Sequence, residues 1–283
     1  MIVSFKNKLI YHIYKVVNYF LVKIEFFRLK LFYFNRNQHL QKSINNNRLV
    51  LSNITNFLDE NSYRANDYGI QNRIFQKLNL KISKNPTYSD LIVFLFEKTF
   101  NDGMNYLEIG CSVLKNFMQI KNSVSNSNLV CYDINEINPT LKDEFEKITN
   151  NNKTYYFKGD VLDRNAVKEF HKLFNFSFNF IFSDALHTEQ GVYSEYELIY
   201  KDRLDKNFII YFDDLDFPGV KNAVLKIKNE LMSNNILANL YTFKVNGWIG
   251  NHEKCHLNGI LTNLDISKIL SENNVSIYKF TKE

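Results

Sequence analysis

A chain of 283 residues, 45% of them hydrophobic, is long enough to bury a good core as one large or two small domains. Its net charge of +5 is unevenly placed: residues 1–36 carry seven Lys or Arg against Glu25 alone, a balance of +6, so the remainder sums to −1. A near-neutral body behind a basic leader argues against a nucleic-acid-binding surface on the main domain. Three widely spaced cysteines, Cys111, Cys131 and Cys255, argue against a disulfide framework and suit a reducing, cytoplasmic compartment.

Residues 1–35 read as one helix. Lys8, His12, Lys15, Asn18, Lys23, Glu25 and Lys30 share one arc of it, while Ile10, Ile13, Val17, Phe20, Leu21 and Phe27 fill the other. No uncharged run approaches the roughly 18 residues of a membrane span, and no small-residue cleavage site follows the apolar part. Two readings stay open. The helix rests on an anionic membrane or a partner, giving a peripheral protein, or it packs on its own domain or in a homo-oligomer.

Residues 37–87 form an Asn-rich linker and small helical cap, with apolar positions at helical spacing (Ile54, Phe57 and Leu58; Ile74, Phe75 and Leu78) and a break at Pro86. Tyr88 to Phe100 is a strongly apolar helix, and Asn101-Asp102-Gly103 turns the chain out of it. From here to residue 265 the pattern alternates. Strands at MNYLEIG (104–110), NLVCYDIN (128–135), TYYFKGD (154–160), Phe178–Phe182 and Phe208–Phe212 are separated by helices at 112–120, 141–148, 165–174 and 192–200. A helix over 220–232 precedes two more strands, Leu240–Val245 and Cys255–Thr262, which pair as an antiparallel hairpin around Asn246-Gly247-Trp248-Ile249-Gly250. Residues 266–283 are a polar helix and tail. The fold class is α/β: a Rossmann-like, doubly wound sheet with a terminal antiparallel hairpin and an N-terminal helical extension.

Chemistry concentrates where the fourth and fifth strands end. Both are continuous apolar runs, as expected of strands buried on two faces, and both stop in carboxylate: Asp184 after one, Asp213 and Asp214 after the other. In an open α/β sheet, ligands sit in the crevice at the carboxyl ends of the strands. Three acids brought together there need a cation or shared protons. His187 lies on the same rim. Nearer the start, a strand followed by Glu108-x-Gly110, with Asp133 ending the next strand 23 residues on, has the form of an adenosyl- or dinucleotide-binding turn. The single glycine makes a dinucleotide reading poor. His252, Cys255 and His256 offer soft metal-ligand types without a second cluster to complete a zinc site, and read as loop and strand residues.

The succession YLEIG, CYDIN, FKGDV, FIFSDALH and IIYFDDLDFPGVKNAV resembles class I S-adenosylmethionine-dependent methyltransferases over residues 88–262. Within them it is most similar to the metal-dependent small-molecule and sugar O-methyltransferases of the family 24 type. The resemblance implies a seven-stranded sheet with a reversed terminal hairpin. It also implies a cofactor, S-adenosylmethionine, with Glu108 and Gly110 beside its methionine part, Asp133 on the ribose hydroxyls, and Asp160 with Val161 bordering the adenine. Asp184, also assigned to the cofactor side, would join Asp213 and Asp214 in holding Mg²⁺. His187 would be the general base toward a small-molecule or glycan acceptor. The chain departs from the pattern after Gly110, where it reads Cys-Ser-Val-Leu-Lys instead of further glycines. A catalytically silent, methyltransferase-like scaffold anchored by its leader helix is the alternative.

Overall fold

The computed structural model describes residues 2–34, 36, 40–57, 85–100, 103–247 and 255–283. Helix α1 (Ile2–Phe34) is followed by α2 (Gln41–Phe57) and α3 (Tyr88–Thr99). The alternating part then runs β1 (Asn105–Ile109), α4 (Lys115–Ser123), β2 (Asn128–Asp133), α5 (Pro139–Glu146) and β3 (Lys153–Lys158). It continues through α6 (Arg164–Leu173), β4 (Phe178–Ser183), α7 (Glu189–Glu195, prolonged by a π-helical turn over Tyr196–Tyr200), β5 (Leu204–Phe212) and α8 (Pro218–Ser233). Last come β6 (Asn239–Asn246), β7 (Cys255–Thr262), α9 (Ile266–Glu272) and β8 (Tyr278–Lys282).

The strands form one sheet in the order β3-β2-β1-β4-β5-β7-β6-β8. Neighbours among β1 to β5 are parallel, while β7 runs antiparallel to both β5 and β6. Strand order reverses between β1 and β4, which makes their carboxyl ends the switch point of the sheet. Alternation along each strand builds two cores. Tyr106, Phe180, Ile209 and Tyr211 face α2, α3 and α4, where Ile44, Ile92 and Phe117 meet them. Leu107, Ile181 and Ile210 face the other side, under Phe170, Val192 and Val224 of α6, α7 and α8. Burial on both faces is why these runs read as unbroken apolar stretches.

The sheet has eight strands, one more than expected. The terminal helix is present, capped by Asp265, whose side chain accepts from Lys268 N. Beyond it Val275 and Ile277 are buried, and β8 pairs antiparallel with β6. Tyr278 and Phe280 alternate with polar residues there, and Phe280 stacks on Tyr241 with ring centroids 5.3 Å apart. An aromatic alternation thus adds an edge strand where the sequence reads as a polar tail.

α1 is a single helix, held to the body near its C-terminal end. Leu29 and Tyr33 are buried, and the Tyr33 hydroxyl donates to Lys244 O (3.3 Å) and accepts from Tyr278 N (3.2 Å). Glu25 lies 2.6 Å from Lys279 and 3.5 Å from Lys244. The apolar arc read from the sequence is not the docking face: Ile13, Val17, Phe20, Leu21 and Phe27 are all exposed. α2 belongs to the main core through Ile44 and Leu51, with Leu40 just before it, and its Arg48 reaches Asp90 of α3 at 2.6 Å. Leu58, the 74–78 positions, Asn101-Asp102, Trp248 and His252 lie outside the described residues. Among the described residues, no helix is long and apolar enough to cross a membrane.

Candidate active site at the switch point

β4 and β5 run in register, Ser183 opposite Phe212, so Asp184 and Asp213 follow at adjacent strand ends. Asp213 N donates to Ser183 O (3.3 Å) and prolongs the ladder by one step. The chain then bends sharply: Asp214 adopts φ +55°, a left-handed conformation that Asp tolerates better than most side chains. The turn after β4 is fixed by Thr188, which caps α7 by accepting from Gly191 N (3.1 Å). α8 starts with Pro218-Gly219, and a β-carbon on Gly219 would come within 2.9 Å of Glu189 N and 3.0 Å of His187 O. The glycine therefore lets the first turn of α8 press against the His187 turn.

The side chains converge on Asp214. His187 Nε2 lies 3.2 Å from its Oδ2, and His256 Nδ1 donates to its Oδ1 at 3.0 Å and lies 3.7 Å from Asp213 Oδ1. Asp213 Oδ1 also accepts from Asp214 N (2.8 Å) and from Asn258 Nδ2. Lys115, from the start of α4, sets its Nζ 4.0 Å from Asp184 Oδ2. Two overlapping groups result, Asp184–His187–Asp214 and Asp213–Asp214–His256, each with ligand-type atoms within 4.8 Å of one another.

Protonation follows from this crowding. Burial and the neighbouring charge of Asp213 push Asp184 up to about 7, against the pull of Lys115. Burial would raise Asp214 too, but hydrogen bonds from His187 and His256 hold it far below the usual carboxylate range. Burial works against charging His256; its bonds to Asp213 and Asp214 outweigh that and lift it to about 10. His187 is raised chiefly by its hydrogen bond to Asp214. Its ring packs against Phe217, centroids 5.1 Å apart, and it remains partly open to solvent, within reach of a ligand in the crevice.

The donor set is of a kind that could hold a divalent cation. Carboxylate oxygens and imidazole nitrogens 3.0 to 3.7 Å apart have about the spacing of adjacent ligands on one small ion. The site also carries its own compensation, because Lys115, His187 and His256 stand against the three acids. The sequence-expected acids and His187 are thus brought together.

At the turn expected to meet a cofactor, Gly110 follows β1 with φ +89°, and an added β-carbon would meet Asp184 O at 2.5 Å. Its glycine is required where the β1 and β4 ends touch. The turn that follows lacks glycines yet takes glycine-like angles, with Ser112 at φ 49° and Leu114 at φ 58°. Asp133 is buried, accepting from Ser112 N (2.8 Å) through one oxygen and Asn135 N (2.9 Å) through the other. Glu108 is also buried, accepting from Tyr106 Oη (2.7 Å) and Asn116 Nδ2 (2.9 Å). Asp160 accepts from Leu162 N (2.9 Å), and Val161 packs into the core beneath α6 to α8.

Two members of the site escaped the sequence reading. His256 reads in the sequence as an ordinary strand residue; β7, antiparallel beside β5, delivers it to the acids. Lys115 opens a helix whose first turn faces Asp184, and only the three-dimensional crossover brings it there. The sole available signal was HEKCH at the start of a strand expected to border the fifth.

No family model and no curated protein matches the chain. Solved structures of similar shape include the Bacillus cereus O-methyltransferase in complex with SAH (15% identity, 67% of this chain and 87% of that one, TM-score 0.46). Others are a putative O-methyltransferase from Klebsiella pneumoniae (13%, 80% and 90%, 0.43) and a putative caffeoyl-CoA O-methyltransferase from Staphylococcus aureus (16%, 67% and 90%, 0.42). Likeness at this level carries no argument about activity, which rests on the site itself.

Proposed function

We propose that this chain is an S-adenosylmethionine-dependent, metal-assisted O-methyltransferase acting on a hydroxyl of a sugar, glycan precursor or other small polyol. The observation that carries the reading is the convergence of Asp184, Asp213, Asp214 and His187 on one carboxyl-end rim, beside the β1–β4 switch point. Asp184, Asp213 and Asp214 would hold the cation, Mg²⁺, which when bound orients neighbouring hydroxyls and lowers the pKa of one. S-adenosylmethionine supplies the methyl group; Gly110, Asp133, Asp160 and Val161 line its side of the crevice, with Glu108 beneath.

His187 is the general base. Its Nδ1 takes the acceptor's hydroxyl proton, while Nε2–H, 3.2 Å from Asp214, lets that carboxylate steady the imidazolium that results. Phe217 fixes the ring plane, so the nitrogen keeps one aim. Lys115 and His256 hold the carboxylates in place by charge.

A silent scaffold is the second reading, favoured by a specific observation: Glu108 and Asp133 already accept hydrogen bonds from within the protein. Calorimetric titration of S-adenosylhomocysteine into the full chain, with and without Mg²⁺, separates the two. The enzyme reading expects micromolar binding that is lost in Asp133→Ala, and methyl transfer to a polyol acceptor that is abolished in His187→Gln while cofactor binding persists. A folded sample that binds nothing sinks it.

A further inference from the structure

α1 presents two faces of different kind. Toward the body it sends Leu29, Tyr33 and Glu25, the last neutralised between Lys279 and Lys244. That contact removes the leader's single acid from the outer surface. On the other side runs a straight apolar stripe, Ile13, Val17, Phe20, Ile24, Phe27 and Leu31, spaced alternately by four and three residues. These side chains are 47 to 61% exposed. At about 100° per residue they stay within one narrow arc, flanked by Lys23 and Lys30 on one border and Arg28 on the other. The stems of Lys23 and Lys30 fold over aromatic rings, with Nζ 5.4 Å from the centroid of Tyr19 and 4.4 Å from that of Phe26.

Two occupants suit a stripe of this shape, and charge decides between them. In a parallel coiled coil the stripe would be the seam, and the cations along its borders would face cations of the other helix. A surface of anionic phospholipid satisfies both features, apolar side chains entering the acyl boundary while flanking cations meet headgroups. We propose that α1 is an interfacial anchor that binds anionic membranes, lying on the surface without crossing it. The anchored end of α1 lies one strand from the acid cluster: Tyr33 bonds to Lys244, and the next residue, Val245, pairs with His256.

The test is sedimentation of the full chain with vesicles of phosphatidylcholine, with and without phosphatidylglycerol. Binding is expected only with the anionic lipid and falls as salt is raised. Phe20→Glu combined with Phe27→Glu abolishes it, and Lys23→Gln and Lys30→Gln each weaken it roughly fivefold. Circular dichroism and the melting midpoint stay as in the parent, since these side chains point away from the body. The proposal is overturned if the folded parent stays in the supernatant with anionic vesicles. It also fails if the Phe20→Glu/Phe27→Glu chain sediments as the parent does. A lipid-free dimer that this double variant dissociates would assign the stripe to a second copy instead. None of these outcomes depends on whether the crevice binds a cofactor.

Discussion

Gly110 and Glu108 sit two residues apart on β1 and are constrained for opposite reasons. At Gly110 the backbone is left-handed and the space for a β-carbon is already taken by the Asp184 carbonyl and Ala185 Cα. Neither neighbour is a flexible side chain, so Gly110→Ala should cost about 1 to 3 kcal/mol or more, read from urea denaturation. A cost near zero would mean the two loops separate more easily than their contact implies. At Glu108 the constraint is electrostatic. Burial raises its carboxyl to about 8, although Tyr106, Asn116 and Lys115 all favour the charged form. The unfolded chain releases this proton near pH 4.3, the folded chain only near 8. Between those values the folded state binds the extra proton, so the contribution to stability is full below the lower value and is lost as pH rises toward the upper one. The loss is on the order of a few kcal/mol. Glu108→Gln, which keeps the shape and cannot ionise, should be relatively more stable at pH 7.5 than at pH 5, measured by denaturation at both. Parallel pH profiles for parent and variant would refute the assignment.

At the scale of elements, Asp90 ties α2 to α3. Its carboxylate accepts from the backbone N–H of Thr87 (2.7 Å), from Arg48 (2.6 and 3.2 Å) and from Asn47 (2.8 Å), with no solvent exposure. Asp90→Ala would take away the carboxylate that Arg48 pairs with in a nearly buried site, as well as remove an N-terminal cap. We expect a loss of about 3 to 5 kcal/mol, and Arg48→Met in the same background should restore part of it; a double-mutant cycle on thermal unfolding measures this. This pair also marks where the sequence ceased to be legible. The parallel strands could be read because an apolar run ending in Asp leaves a local trace, as at Phe178–Phe182 and Phe208–Phe212. The same trace announced Asp184, Asp213, Asp214 and His187. Arg48 and Asp90 are 42 positions apart, and His256 is 42 from Asp214. Such partners are fixed by topology, and nothing in either local stretch encodes the other. β8 was missed for a related reason: five residues alternating Tyr, Lys, Phe, Thr and Lys become a strand only because β6 offers an unpaired edge.

Over the whole molecule, the uneven charge corresponds to an uneven distribution of burial. The near-neutral body from α2 to β8 encloses two cores across one sheet, whereas the side chains of residues 11–21 are all exposed. A helical segment without tertiary contacts is marginal in water, because nucleation is unfavourable and helices shorter than about 12 to 15 residues gain too few bonds to offset it. α1 should therefore behave as two segments. Its C-terminal part, anchored by Leu29, Tyr33 and the Glu25 pairs, belongs to the cooperative unit; the N-terminal arm frays on its own. Hydrogen exchange on the lipid-free chain should show fast-exchanging amides up to about residue 20, with protection rising through residues 25–34 toward the level of the sheet. Limited proteolysis should remove the arm while leaving the unfolding midpoint unchanged. Uniform protection along α1 in a lipid-free monomer would mean that the arm is held by a contact the described residues do not make. A fall in the midpoint on trimming would mean that the body draws stability from an arm whose described side chains stand clear of it.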